Sequence, residues 1–143
     1  MATVIYCDDF SEQLAKGIHN FASHTFKLAF SNTAITTSNA VLADLTQIAY
    51  TNISGGVAPT VTVTTSETSG TMTISADAVT ITATGSVPTF QYYALYNDSA
   101  TSDNLVMSWN HGSAVTLANG ETFKVSFNSD DTAGTVLTIA KAA

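Results

Sequence analysis

Three histidines (His19, His24, His111), one cysteine (Cys7) and three groups of carboxylates are the side chains here able to hold a metal or move a proton. No two histidines stand at the i, i+4 spacing that sets a zinc pair on one helix face, and a lone thiol completes no cysteine-based site. They read as exposed or locally hydrogen-bonded, with His24 at a strand start and His111 in a turn. The carboxylates gather as Asp8-Asp9, Asp98 with Asp103, and Asp130-Asp131. Calcium wants several oxygens on one loop, and these spacings match no EF-hand. Asn97-Asp98-Ser99 and Ser129-Asp130-Asp131 read as solvated turns, because Asn and Asp bond their own backbone there. A glycosidase needs two carboxyls facing across a cleft, and nothing selects such a pair. Cys7 follows Val4, Ile5 and Tyr6 and precedes two aspartates that oppose thiolate formation, so it reads as a small packed hydrophobe. No Gly-x-Ser-x-Gly elbow occurs, and Ile53-Ser54-Gly55-Gly56-Val57 lacks the lysine and spacing of a phosphate loop. The expectation is a non-enzymatic chain with no catalytic residues, no cofactor and no metal.

Aromatic side chains are the other functional material. In a strand, Phe90, Tyr92, Ala94 and Tyr96 share one face and Gln91, Tyr93 and Leu95 the other. Both faces are apolar, which predicts a central or sandwiched strand. Two readings stand open: a packed core, or a face for protein or carbohydrate, since Tyr and Trp combine large area with a polar tip. Trp109, beside Ser108, Asn110 and a turn, reads as an interface anchor. The candidate protein-interface residues are Cys7, Phe10, Leu14, Tyr93, Tyr96 and Trp109. A carbohydrate-binding sandwich would use Tyr93, Tyr96 or Trp109.

Charge narrows the partners. The 143 residues carry a formal net charge of -7 with only four lysines and no arginine. Nucleic acid and anionic membranes both require clustered cations, so neither is expected as a partner. No apolar run approaches a membrane span, and Asp8 and Asp9 stand where a secretory leader would be basic. A single cysteine excludes an intrachain disulfide and suits a reducing cytoplasm. Charged residues are only 10% of the chain, so Thr, Ser and Asn supply its polar surface; Thr favours pleated strands.

The elements that must position these groups are mostly strands. Asp8 to Gly17 carries helix signals: Asp8 or Asp9 as N-cap, Phe10 and Leu14 four apart, Lys16 before Gly17. Phe26, Leu28 and Phe30 alternate on one face of a half-buried strand. Val41, Leu42, Leu45 and Ile48 recur at helical spacing, predicting a short helix from about Ser38. From Thr60 the two-residue period dominates. A turn at Ser69-Gly70 precedes Met72-Thr73-Ile74, Val79 to Ala83 ends at Gly85, and Phe90 to Tyr96 ends at Asn97-Asp98. Leu105 to Trp109 ends at Gly112, and Asn119-Gly120 between Val115-Thr116-Leu117 and Phe123, Val125, Phe127 predicts a hairpin. Val136 to Ile139 closes the series. Roughly eight or nine short strands at this spacing predict an all-β antiparallel sandwich or jelly roll with one or two short helices near the N-terminus. It forms one domain, 1–143, with 1–21 as a contacting arm.

The order of these segments resembles small bacteriophage virion proteins of the capsid decoration, or cement, type. The likeness rests on Asp8-Asp9-Phe10-Ser11-Glu12-Gln13-Leu14-Ala15-Lys16-Gly17, then Thr25 through Thr33, Tyr93-Ala94-Leu95-Tyr96-Asn97-Asp98, Ser102 through Val106, and Val115 through Phe123. It implies a β-sandwich or jelly roll made in the host bacterial cytoplasm and placed on the capsid exterior. There it would bind the major capsid protein and itself as a dimer or trimer. A tail, baseplate or head-tail component is the alternative. The resemblance brings no catalytic residues.

Overall fold

The computed structural model describes residues 3–127 and 134–142. The strands are β1 (Thr3–Tyr6), β2 (Phe26–Ser31), β3 (Thr60–Val61), β4 (Val63–Thr68), β5 (Thr71–Ala76), β6 (Val79–Thr82), β7 (Val87–Asn97), β8 (Leu105–Leu117), β9 (Thr122–Val125) and β10 (Gly134–Ala140), with one helix, α1 (Phe10–Ala15). All pairings are antiparallel. A five-stranded sheet runs β1-β8-β7-β2-β3; the other layer is a three-stranded sheet β10-β5-β4 and a two-stranded one β6-β9. One hydrophobic cluster joins them. The chain is an all-β sandwich.

Strand β7 is central, as its apolar faces demand. It lies between β8 and β2. Register pairs Phe30 with Tyr93, and Leu28 with Leu95; it also pairs Tyr93 with Trp109, and Leu95 with Met107. These residues therefore share the face turned to the second layer. Register shifts flank Phe90, and its ring meets Phe123 of β9 at 5.1 Å, as Tyr93 does at 6.0 Å. Phe90 thus leaves the predicted face of Tyr92, Ala94 and Tyr96 at the irregularity between the pairs Phe90↔Val115 and Tyr92↔Asn110. β2 is also more enclosed than expected: Ala29 and Ser31 are buried along with Phe26, Leu28 and Phe30.

α1 lies where predicted. Asp9 holds the N-cap position without a side-chain bond, while the Asp8 carboxylate accepts from Thr37 Oγ1 at 3.0 Å. The helix ends in a Schellman motif: Gly17 N–H donates to Leu14 O (3.1 Å) and Ile18 N–H to Gln13 O (2.9 Å). The second predicted helix is absent, and only a 3₁₀ turn at Leu42–Asp44 forms. Its backbone bonds elsewhere. Asp44 Oδ2 accepts from the N–H groups of Ala40 (2.8 Å) and Val41 (3.1 Å). Leu42 N–H donates to Asp103 O and Ile48 N–H to Phe30 O. The segment straps the sheet, with Leu42, Leu45 and Ile48 packed on the core.

Two further expectations are corrected. β8 continues through Gly112. The residues His111 to Ala114 bulge between the pairs Tyr92↔Asn110 and Phe90↔Val115. Asn119-Gly120 is not a hairpin, since β9 pairs with β6. Glu121 N–H donates to Ala118 O at 3.0 Å, and in this turn only Gly120 has positive φ, +87°. That is a type II turn, whose twist does not suit a two-residue hairpin. By contrast Ser69 (φ +53°) and Gly70 (φ +82°) form the type I′ turn that closes β4 on β5.

Candidate functional site

The concave feature richest in aromatic residues is a cleft of ≈ 320 Å³ between β1, β7 and β8 on one side and β9 and β10 on the other. Its floor is the cross-strand pair Tyr93 and Trp109, ring centroids 5.4 Å apart and 23° from parallel. Phe127 meets Trp109 edge-on at 5.5 Å, and Phe123 meets His111 at 5.3 Å. Tyr6 O–H donates to Val136 O at 3.1 Å and ties β1 to β10 across one side. Val4 and Tyr6, 45% and 44% exposed, form its rim.

The two rings of the floor leave little for a ligand. Trp109 is only 7% exposed, one face against Tyr93 and its edge region against Phe127. Sugar stacking requires an open ring face, and Tyr93, Trp109 and Tyr96 are all buried. Burial also raises the Tyr93 and Tyr96 hydroxyls above the ordinary tyrosine range.

Of the sequence-predicted interface residues, the fold stacks Tyr93 on Trp109 across β7 and β8 and sets Cys7, Phe10 and Leu14 together at and on α1. Cys7, Phe10 and Tyr96 are buried in the fold, as Tyr93 and Trp109 are. Cys7 Sγ donates to Leu105 O at 3.2 Å, and burial pushes its thiol up to about 11, in keeping with a packed side chain. Phe10 packs between Tyr6 and His19. Leu14 is half-buried against the core. Over its described part the arm includes β1, an edge strand paired with β8; residues 1 and 2 lie outside the described residues. The turn Ser129-Asp130-Asp131 lies outside them too.

Asn97-Asp98-Ser99 forms the expected turn, with Asn97 Oδ1 accepting from Ser99 N–H at 3.1 Å, but its first residue is not solvated. Asn97 is fully buried; its Nδ2 donates to Ile18 O (3.0 Å) and lies 3.0 Å from His24 Nδ1 and 3.3 Å from His19 Nδ1. His19 Nε2 donates to Gln13 Oε1 at 2.8 Å. Burial first, then the nearby His24, lowers the His19 pKa to about 4. Asp98 pairs with Lys27 at 2.8 Å. The two histidines converge on the Asn97 amide, and His24 Nδ1 also accepts from Asn20 N–H at 3.4 Å, as in a structural network. Among the described residues no group of three His, Cys, Asp or Glu side chains is placed to hold a metal, and no helix is long and apolar enough to cross a membrane.

The Thr-rich sequence makes edge strands contact candidates, and the fold identifies which strands lie at an edge. β4 pairs with β5 alone among the described residues, at the margin of its sheet, and Thr64 through Thr68 are exposed on both faces. The cue was present in Val63-Thr64-Thr65-Ser66-Glu67-Thr68, a strand with almost nothing to bury. No protein-family model, curated protein or solved structure matches this chain.

Proposed function

We propose that this chain is a non-enzymatic structural protein of a bacteriophage virion, decorating the outer surface of the capsid and bridging subunits of the major capsid protein. The observation that carries the reading is the exposed outer edge of β4 in the β4–β5 hairpin, unpaired among the described residues, on a strand of which only Val63 packs against the core. Free strand edges offer rows of backbone donors and acceptors to a neighbouring chain, and soluble proteins ordinarily blunt them. At the opposite margin, the edge strand β1 carries the half-exposed Val4 and Tyr6, a second contact surface of different chemistry. Two weak surfaces on one small domain suit a lattice, where each contact repeats many times and binding favours the assembled shell by mass action. The net charge of -7 keeps decorated particles apart in solution.

Cryo-electron microscopy of particles containing this chain tests the proposal. The expected result is density outside the shell, spanning adjacent capsid subunits at repeated symmetry positions. Copies confined to the portal vertex or tail overturn it in favour of a connector or tail component. Absence from particles overturns the virion reading altogether.

A further inference from the structure

We infer that β4 is a self-association edge, on which a second copy of this chain pairs antiparallel about a two-fold axis through Thr65, joining two three-stranded sheets into one of six. The inference gives the assembly reading its homotypic contact, but its geometry stands without a capsid.

The register follows from the backbone. In the β4–β5 ladder, Thr68 opposes Thr71 across the two-residue turn, and the pairing continues without a break to Val63 opposite Ala76. Residues flanking such a turn form a hydrogen-bonded pair, and bonded and non-bonded pairs then alternate. Thr64, Ser66 and Thr68 therefore turn their N–H and C=O groups to β5. One step past the strand, Thr62 O accepts from Asp77 N–H at 2.9 Å, as that alternation requires. Val63, Thr65 and Glu67 turn theirs outward, toward the edge where β4 has no neighbouring strand among the described residues.

Outward groups bond only to outward groups. An antiparallel copy centred on Thr65 matches all of them: Thr65 with its counterpart, and Val63 with Glu67 in both directions. Each pair exchanges two hydrogen bonds. A register centred on Thr64 or Ser66 leaves one outward residue of each chain unmatched.

Side chains agree with that register. Glu67 faces Val63 and never its own counterpart, so no like charges oppose each other. Thr64 faces Ser66 across the axis, a pair of hydroxyls suited to one another. The face carrying Thr64, Ser66 and Thr68 continues onto Thr71, Thr73 and Ser75 of β5, so both copies present uncharged hydroxyls there. The usual guards are missing. No Lys or Pro and no bulge interrupts β4, and the Glu67 carboxylate is folded back onto Gly70 N–H. One strand pair buries well under the roughly 1,000 Å² of a stable interface, so the dimer is weak in dilute solution.

The test uses the full chain at rising concentration, up to about 1 mM, by sedimentation velocity and amide hydrogen exchange. We expect a monomer–dimer equilibrium in which exchange at Val63, Thr65 and Glu67 slows at least tenfold, while Thr64, Ser66 and Thr68 stay unchanged. T65P removes an outward N–H without breaking the ladder to β5 and should weaken dimerisation at least tenfold. T65K sets two ammonium groups face to face with the same effect, and mixing T65K with T65E should restore pairing as a heterodimer. A wild-type chain that stays monomeric overturns the inference, leaving the edge to a foreign strand. Dimerisation unaffected by T65P and T65K overturns it by placing the interface elsewhere. Cryo-electron microscopy of particles tests the virion reading separately, so the two failures are distinguishable.

Discussion

The ring of His19 lies against Phe10 and Phe21, with its nitrogens engaged by Gln13 and Asn97. Its Nε2 carries the proton that Gln13 Oε1 receives, and its Nδ1 lone pair faces the Asn97 amide donor. A second proton on Nδ1 would set two donors against each other in a dry site. The pKa of about 4 in the fold, against 6.5 when unfolded, makes the unfolded chain the better proton acceptor. The stability due to neutral His19 is therefore whole above pH 6.5, falls as pH drops, and is gone below about pH 4. The full span corresponds to about 3 kcal/mol. Urea denaturation at pH 7, 5.5 and 4 should show this slope, and H19Q should lose it; an equal slope in H19Q would contradict a buried neutral imidazole. The packed role of Cys7 was legible from its apolar neighbours. That of His19 was not, because polar spacing alone does not say which rings will close over a residue.

Turn chemistry decides the elements. Ser69 holds φ +53° in the type I′ turn between β4 and β5, a conformation that strains most side chains and that Asn tolerates. S69N should raise stability by about 0.5 kcal/mol, read as a higher melting temperature with no change in sheet content by circular dichroism. A loss of stability would mean the turn is not type I′ in solution. Asn119-Gly120 shows the limit of such signals. The dipeptide made a turn, but β9 went to β6, and the turn there is type II. Likewise the helical spacing of Val41, Leu42, Leu45 and Ile48 produced a strap, because partners across the sheet bound its backbone. A short helix cannot outcompete such bonds, since its nucleus is costly.

At the scale of the molecule, Phe90 ties the layers. It is fully buried, meeting Phe30 of its own sheet at 4.9 Å and Phe123 of the other layer at 5.1 Å. F90A should cost roughly 3 to 5 kcal/mol in chemical denaturation. Trp109 reports the same event, since it too touches both layers. Its fluorescence and the far-ultraviolet signal should change together, as one cooperative unit requires. Separate transitions would show two sheets unfolding independently.

The all-β class, the hairpin at Ser69-Gly70, the short helix ending at Gly17 and the central place of β7 were all written in the sequence. Each depends on neighbours within a few residues: two-residue alternation, turn dihedrals, capping, or apolarity on both faces of one strand. The tertiary structure decided which strands pair, which aromatic rings cover one another, and which strand edges stay open among the described residues. Those outcomes depend on backbone bonds between distant segments and on bulges such as the one beside Phe90, where four residues of β8 stand opposite one of β7. Periodicity can say that Val63 to Thr68 is a strand. Only the assembled sheet shows that its outer edge is open.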